Sequence, residues 1–202
     1  MTSHAVVKAG WIAVLASCGI AAAQTPAAIP HLDQTKFEIP WYEIARYPDA
    51  SEKKCVSDAT ILYAEGDKPF NLQIVSACIL KDGTSQVRNL NARTQTKTWN
   101  GSLQVTAWPF FIFTHKYWVL AVDPAYTWAL VGTPNRKELW VLASTPTMSP
   151  DVLTQIKSTA TANGFDASRL VMVPATGANR STVAEAKAAL APTNPDSHRP
   201  SS

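Results

Sequence analysis

Three short apolar runs, residues 117–122, 127–131 and 139–142, set the pattern of this chain. Asp123-Pro124-Ala125-Tyr126 and Gly132-Thr133-Pro134-Asn135-Arg136 lie between them as turn signals. Val, Leu, Trp and Tyr fill the runs, each too short for a stable helix, so the pattern predicts antiparallel hairpins. Upstream, the alternation predicts strands near 41–47, 56–64, 70–80, 87–96 and 102–107. Asp82-Gly83 and Asn100-Gly101 serve as tight-turn signals between them. Strands apolar on both faces need cover on both sides, and eight of them can close on themselves. The expectation is an all-β fold: an eight-stranded antiparallel up-and-down barrel with room for one small ligand.

One C-terminal α-helix should pack outside that barrel. Ser149-Pro150-Asp151 gives an N-cap, a proline at the first helical position and an acid near the positive end. Val152, Leu153, Ile156 and Ala160 share a face, and Asn163-Gly164 reads as the stop. Residues 169–173 then read as a short strand that extends the sheet. Residues 24–36 read as a tether without a core, and 174–202 as a disordered tail with at most a transient helical turn at 184–190.

The runs also carry a family likeness. YWVLAVDPAYTWALVGTPNRKELWVLA followed by TPTMS, and the earlier octet WYEIARYP at 41–48, resemble bacterial lipocalins of the apolipoprotein D-related, outer-membrane lipoprotein group. The likeness covers roughly residues 37–173, the expected lipocalin domain. Ile39 stands where the family usually has Gly, and Ser144 where it usually has an Arg packed on the first-strand Trp. Both departures bear on the barrel floor, and so on the depth of the pocket. The resemblance implies that Trp41 points inward, and strand alternation then carries Glu43 and Ala45 inward with it, leaving Tyr42, Ile44 and Arg46 on the other face. It implies a small hydrophobic ligand, a fatty acid or lysophospholipid, with Trp41, Glu43, Trp108, Phe111 and Tyr117 as the binding candidates. The aromatic link Trp108-Pro109-Phe110-Phe111-Ile112-Phe113 reads either as packing or as a hydrophobic rim at the mouth.

Composition adds an address. The 202 residues are 16% charged with a formal net charge of +3, and the basic residues are scattered, which argues against nucleic acid. Residues 1–23 read as an export signal, the apolar stretch being too short to span a bilayer. Leu15-Ala16-Ser17-Cys18 resembles a lipobox that would place an acylated Cys18 at the outer membrane, facing the periplasm. Cleavage after Ala23 would instead give a soluble periplasmic or secreted protein.

Three cysteines leave one odd, and Cys18 is the natural one to set aside. Folding the second hairpin about Gly66-Asp67 puts Cys55 opposite Cys78, within bridging distance. Chemistry beyond binding has weak signals. The four histidines show no metal spacing, and neither a nucleophile elbow nor a phosphate loop occurs. No catalytic residue, metal or cofactor is expected, and Glu43 would be the carboxylate to watch if an enzyme had been built on this scaffold. A third reading is a structural envelope protein whose barrel is filled by its own side chains.

Overall fold

Strand pairing runs in a ring. The computed structural model describes residues 26–48, 53–66, 68–94, 99–107 and 114–190. Its strands are β1 (Pro40–Arg46), β2 (Cys55–Glu65), β3 (Asn71–Leu80), β4 (Ser85–Thr94), β5 (Ser102–Ala107), β6 (Thr114–Val122), β7 (Trp128–Gly132) and β8 (Leu139–Ala143). Each pairs antiparallel with the next, and β1 pairs with both β8 and β2. The barrel is therefore closed, which leaves it without the open edge that a flat sheet would expose. Strand ends match the pattern predicted from the sequence within a few residues, because Pro and Gly punctuate the turns.

One end of the barrel is shut. There β1 begins, β2, β4 and β6 end, and β3, β5 and β7 begin. Residues 26–38 cross this end, including the short helix α1 (Gln34–Phe37). Ile29 N–H donates to Val119 O at 2.9 Å, and Gly101 N–H to Ile29 O at 2.9 Å. A Cβ on Gly101 would sit 2.6 Å from Val119 O, so only glycine permits this approach. Gly101 thus serves the floor, and the two-residue Asn100-Gly101 turn expected from the sequence does not occur, since β4 stops at Thr94. Trp41 Nε1–H donates to Phe37 O at 2.9 Å, and the Phe37 ring lies 5.1 Å from Trp41 and 4.8 Å from Tyr63. The expected tether is corrected from residue 26 onward. Leu32 and Phe37 are buried, and Ile29 and Ile39 pack on the same inner core, because the apolar interior is otherwise open to water at this end.

A β-bulge in β1 changes its inward face. The β1–β8 register slips between Glu43 and Ala45: Glu43 pairs with Leu142, but Ala45 pairs with Val141 and Arg46 with Trp140. An extra residue reverses the alternation. Trp41 and Glu43 face inward as expected. Ala45 and Tyr47 instead join the outer core, and Arg46 turns inward to meet Glu43.

The outer core lies under α2 (Pro150–Ala162), capped by Ser149 as the sequence predicts and burying Ile156 and Ala160. After a 3-10 turn (Ala167–Arg169), β9 (Val171–Met172) pairs with Ala45 and Arg46 of β1. No helix among the described residues is long and apolar enough to cross a membrane.

The disulfide forms, though the register behind its prediction was off. Ile61 pairs with Ser76, whereas Cys55 pairs with Leu80 after two slips between positions 55 and 60. Cys55 and Cys78 are bonded diagonally, with Cα atoms 5.5 Å apart. Asp58, at φ +52°, marks the irregular stretch.

The expected disordered tail is also corrected as far as residue 190. Helix α3 (Asn179–Leu190) lies on β2, β3 and β4. Ala186, Ala189 and Leu190 cover Leu62, Val75 and Ala77. Buried Asp58 holds the approach, accepting from Thr176 N–H at 2.9 Å, from the Thr176 hydroxyl and from Gly177 N–H at 3.2 Å. An apolar strip on the outer wall and a ready carboxylate outweigh the entropy of a short Ala-rich segment.

Candidate ligand cavity

Inside the barrel, above the Trp41–Phe37 floor, lies a cavity of about 80 Å³. Ile61, Ile74, Leu90, Leu103, Val131 and Leu142 supply its apolar wall, joined by Tyr63, Tyr117 and Trp140, with Ser76 on the β3 side. These positions converge because inward residues recur at every second place on each strand. Cross-strand pairing sets Leu103 beside Tyr117 and Val131 beside Trp140. The Tyr117 and Trp140 rings meet edge to face, 5.1 Å apart, and narrow the space. Burial, and secondarily the charge of Glu43, pushes the Tyr63 phenol well above its ordinary range. Its hydroxyl therefore stays protonated at neutral pH and can donate.

A second, polar space of about 30 Å³ adjoins the first through Ile61 and Ser76. Its centre is the Glu43–Arg46 ion pair, 2.8 Å apart, with side chains 3% and 11% exposed. Arg46 also donates to Cys55 O at 2.8 Å, so the bulge, the ion pair and the disulfide hairpin are tied together. Gln86 and Arg88 of β4 complete the lining, and Gln86 Oε1 is buried without a hydrogen-bond donor among the described residues. The two spaces together offer an apolar slot flanked by a charged wall, the arrangement that suits an amphiphile. A larger groove, about 320 Å³, lies on the outer wall between β3, β4 and β5. It is lined by Asn71, Gln73, Asn91 and Gln104, and does not belong to the interior.

Of the residues singled out in the sequence, Tyr117 lines the cavity, Glu43 lies in the polar wall, and Trp41 sits in the floor beneath. Trp108, Phe111 and Cys18 lie outside the described residues. His115 and Lys116 are exposed near the start of β6. Sequence reasoning missed Arg46, Arg88, Tyr63 and Trp140. Simple alternation would have found Tyr63 and Trp140 as inward partners, whereas Arg46 depends on the bulge. Among the described residues no group of three His, Cys, Asp or Glu side chains could hold a metal ion.

The family described as the lipocalin-like domain matches residues 32–175. The outer membrane lipoprotein Blc of Citrobacter freundii is 28% identical over 156 residues, covering 74% of this chain and 83% of the relative. Temperature-induced lipocalin-1 of Arabidopsis thaliana is 27% identical over 139 residues, covering 66% and 74%. Apolipoprotein D of Mus musculus is 25% identical over 154 residues, covering 72% and 78%. Among solved structures, insecticyanin of Manduca sexta superposes with a TM-score of 0.60 at 16% identity, covering 75% of this chain and 85% of that one. Apocrustacyanin C1 gives 0.61 at 13% identity, covering 75% and 86%. At those identities the structural likeness speaks for the fold alone.

Proposed function

The chain belongs to the lipocalin family, and from that membership we propose that it binds or carries a single-chain amphiphile, a fatty acid or a lysophospholipid. The observation that carries this reading is the apolar slot beside a charged wall, both inside a barrel whose other end is closed. Burying an acyl chain gains about 0.8 kcal/mol per methylene, so such a slot needs no special residue for the tail. About 80 Å³ is well below the ~300–1,000 Å³ typical of pockets for drug-sized ligands, so an acyl tail enters only as the rings of Tyr117 and Trp140, which narrow the space, move aside. The protein acts by equilibrium binding, with no catalytic step assigned to Glu43, whose carboxylate is engaged by Arg46.

The proposed address is the outer membrane, facing the periplasm, through an acylated Cys18. The lipobox-like Leu15–Cys18 stretch and the similarity to relatives named outer membrane lipoproteins support it. A Cys18→Ala variant should leave the membrane fraction.

The same small volume favours a second reading, a barrel filled by its own side chains. Titration of the detergent-free protein with a fluorescent fatty acid separates the two. Saturable one-to-one binding supports the carrier, and a flat titration supports the filled barrel.

A further inference from the structure

Two hydroxyls inside the barrel take no part in the hydrogen bonding that holds the fold. Tyr63 of β2 and Ser76 of β3 both line the apolar slot, whose remaining wall is mostly Ile, Leu and Val. Strand pairing sets Ile61 beside Ser76 and Tyr63 beside Ile74, so Tyr63 and Ser76 are diagonal neighbours on one inward face. Other tyrosines are engaged: the Tyr47 O–H donates to Asp166 O at 2.8 Å, and the Tyr126 hydroxyl accepts from Asp33 N–H at 2.8 Å. Neither the Tyr63 nor the Ser76 hydroxyl has a hydrogen-bond partner among the described residues; only burial and the charge of Glu43 act on the Tyr63 phenol.

Polarity is graded along this wall. From floor to mouth, the inward pairs of β3 and β4 run Ile74–Leu90, Ser76–Arg88 and Cys78–Gln86. Ser76 lines both the apolar slot and the polar space, so it stands where the tail of an amphiphile meets its head. One step nearer the mouth, Gln86 Oε1 is a buried acceptor without a donor among the described residues.

A plain alkyl tail would cover Tyr63 and Ser76 and offer neither a partner. Taking a hydroxyl out of water without replacing its hydrogen bond is unfavourable. A ligand hydroxyl at this level removes that penalty. It can accept from one protein hydroxyl while donating to the other or to Gln86 Oε1.

We infer that the cavity selects an acyl chain hydroxylated close to its head, with Tyr63 and Ser76 as the residues that read the hydroxyl. This selection presupposes the carrier reading above and adds to it the chemistry of the chain. Headgroup charge plays no part in it.

The test compares hexadecanoate with β-hydroxyhexadecanoate, which share chain and head and differ by one hydroxyl. Each displaces a fluorescent fatty acid from the protein starting after Cys18, purified without detergent. The hydroxylated chain should bind roughly tenfold more tightly, the worth of a hydrogen bond made in a buried site. Tyr63→Phe combined with Ser76→Ala should bring the two affinities together by weakening only the hydroxylated chain. Because the deleted hydroxyls have no partner in the fold, the same double variant should unfold in urea at or above the wild-type midpoint. Equal affinities in wild type, a preference that survives the double variant, or a double variant that unfolds well below wild type would each overturn the inference. Failure of the fluorescent probe itself to bind removes the carrier reading and the selection with it, whereas equal displacement by both acids removes only the selection.

Discussion

Arg46 reaches Glu43 across 2.8 Å inside the barrel because a bulge between them turns the arginine inward. Two neighbouring irregularities, this bulge and the slipped start of β2, shape the whole polar side of the cavity. Truncating one partner of a buried pair leaves the other charge uncompensated. Glu43→Gln should therefore destabilise the protein by about 3–5 kcal/mol in chemical denaturation, whereas Glu43→Leu with Arg46→Leu should cost far less. Equal losses in the single and double variants would show that the pair acts through something other than its charges.

Removing the disulfide should cost about 3 kcal/mol, the chain-entropy value for a loop of this size. The bond joins Cys55 to Cys78 across a sequence separation of 23. Comparison of Cys55→Ala/Cys78→Ala with wild type in urea measures it. Because Arg46 donates to Cys55 O, the variant should also weaken the Glu43–Arg46 pair, which a double-mutant cycle would register.

Acid should loosen the C-terminal clasp. Burial alone would push the Asp58 carboxyl up, but hydrogen bonds from Thr176, Ser57 and Gly177 outweigh it and hold it below the usual carboxylate range. A depressed folded-state pKa adds stability that is present above the unfolded value, near 3.9, and is lost as pH falls through the folded value. Amide protection in residues 179–190, corrected for the intrinsic pH dependence of exchange, should fall below about pH 4 in wild type. Asp58→Asn keeps a side chain that tolerates the left-handed backbone. It should show fast exchange at neutral pH and a much weaker pH dependence.

Filling the cavity should abolish binding without unfolding the barrel. Ser76 lines both the apolar and the polar space, so Ser76→Leu places a bulky side chain between them. Overpacking of this kind costs about 1–3 kcal/mol, and the same variant should lose at least tenfold in fatty-acid affinity, taking ~1.4 kcal/mol as tenfold. Unchanged affinity would place the ligand elsewhere.

The sequence carried the barrel and its outer helix because turn residues punctuate every strand and Ser149-Pro150-Asp151 announces α2. It did not carry register. Alternation assigns Arg46 and Ala45 to the wrong faces, since nothing in WYEIARYP marks the extra residue at the bulge. Likewise the pairing of Cys55 with Leu80 rests on slips near Asp58, whose left-handed φ is a backbone property. The closed floor was hidden by composition: Ile29, Leu32 and Phe37 are spaced among Pro, His and Asp without helical or strand period, yet all three contact the inner core. The stripe of α3, Thr182, Ala186, Ala189 and Leu190, consists mostly of small residues and so reads as solvated tail until Leu62, Val75 and Ala77 are seen beneath it. Tyr117 could be placed from its run, whereas Tyr63 and Trp140 required the pairing to be known.

The central claim is that the cavity holds one acyl-chain amphiphile, and native mass spectrometry of the protein starting after Cys18, purified without detergent, tests it most directly. The account predicts a stoichiometric adduct that releases a fatty acid or lysophospholipid on denaturation, and that Ser76→Leu lacks. A clean apo mass that stays unchanged after incubation with those lipids would contradict it, and would identify the barrel as filled by its own side chains.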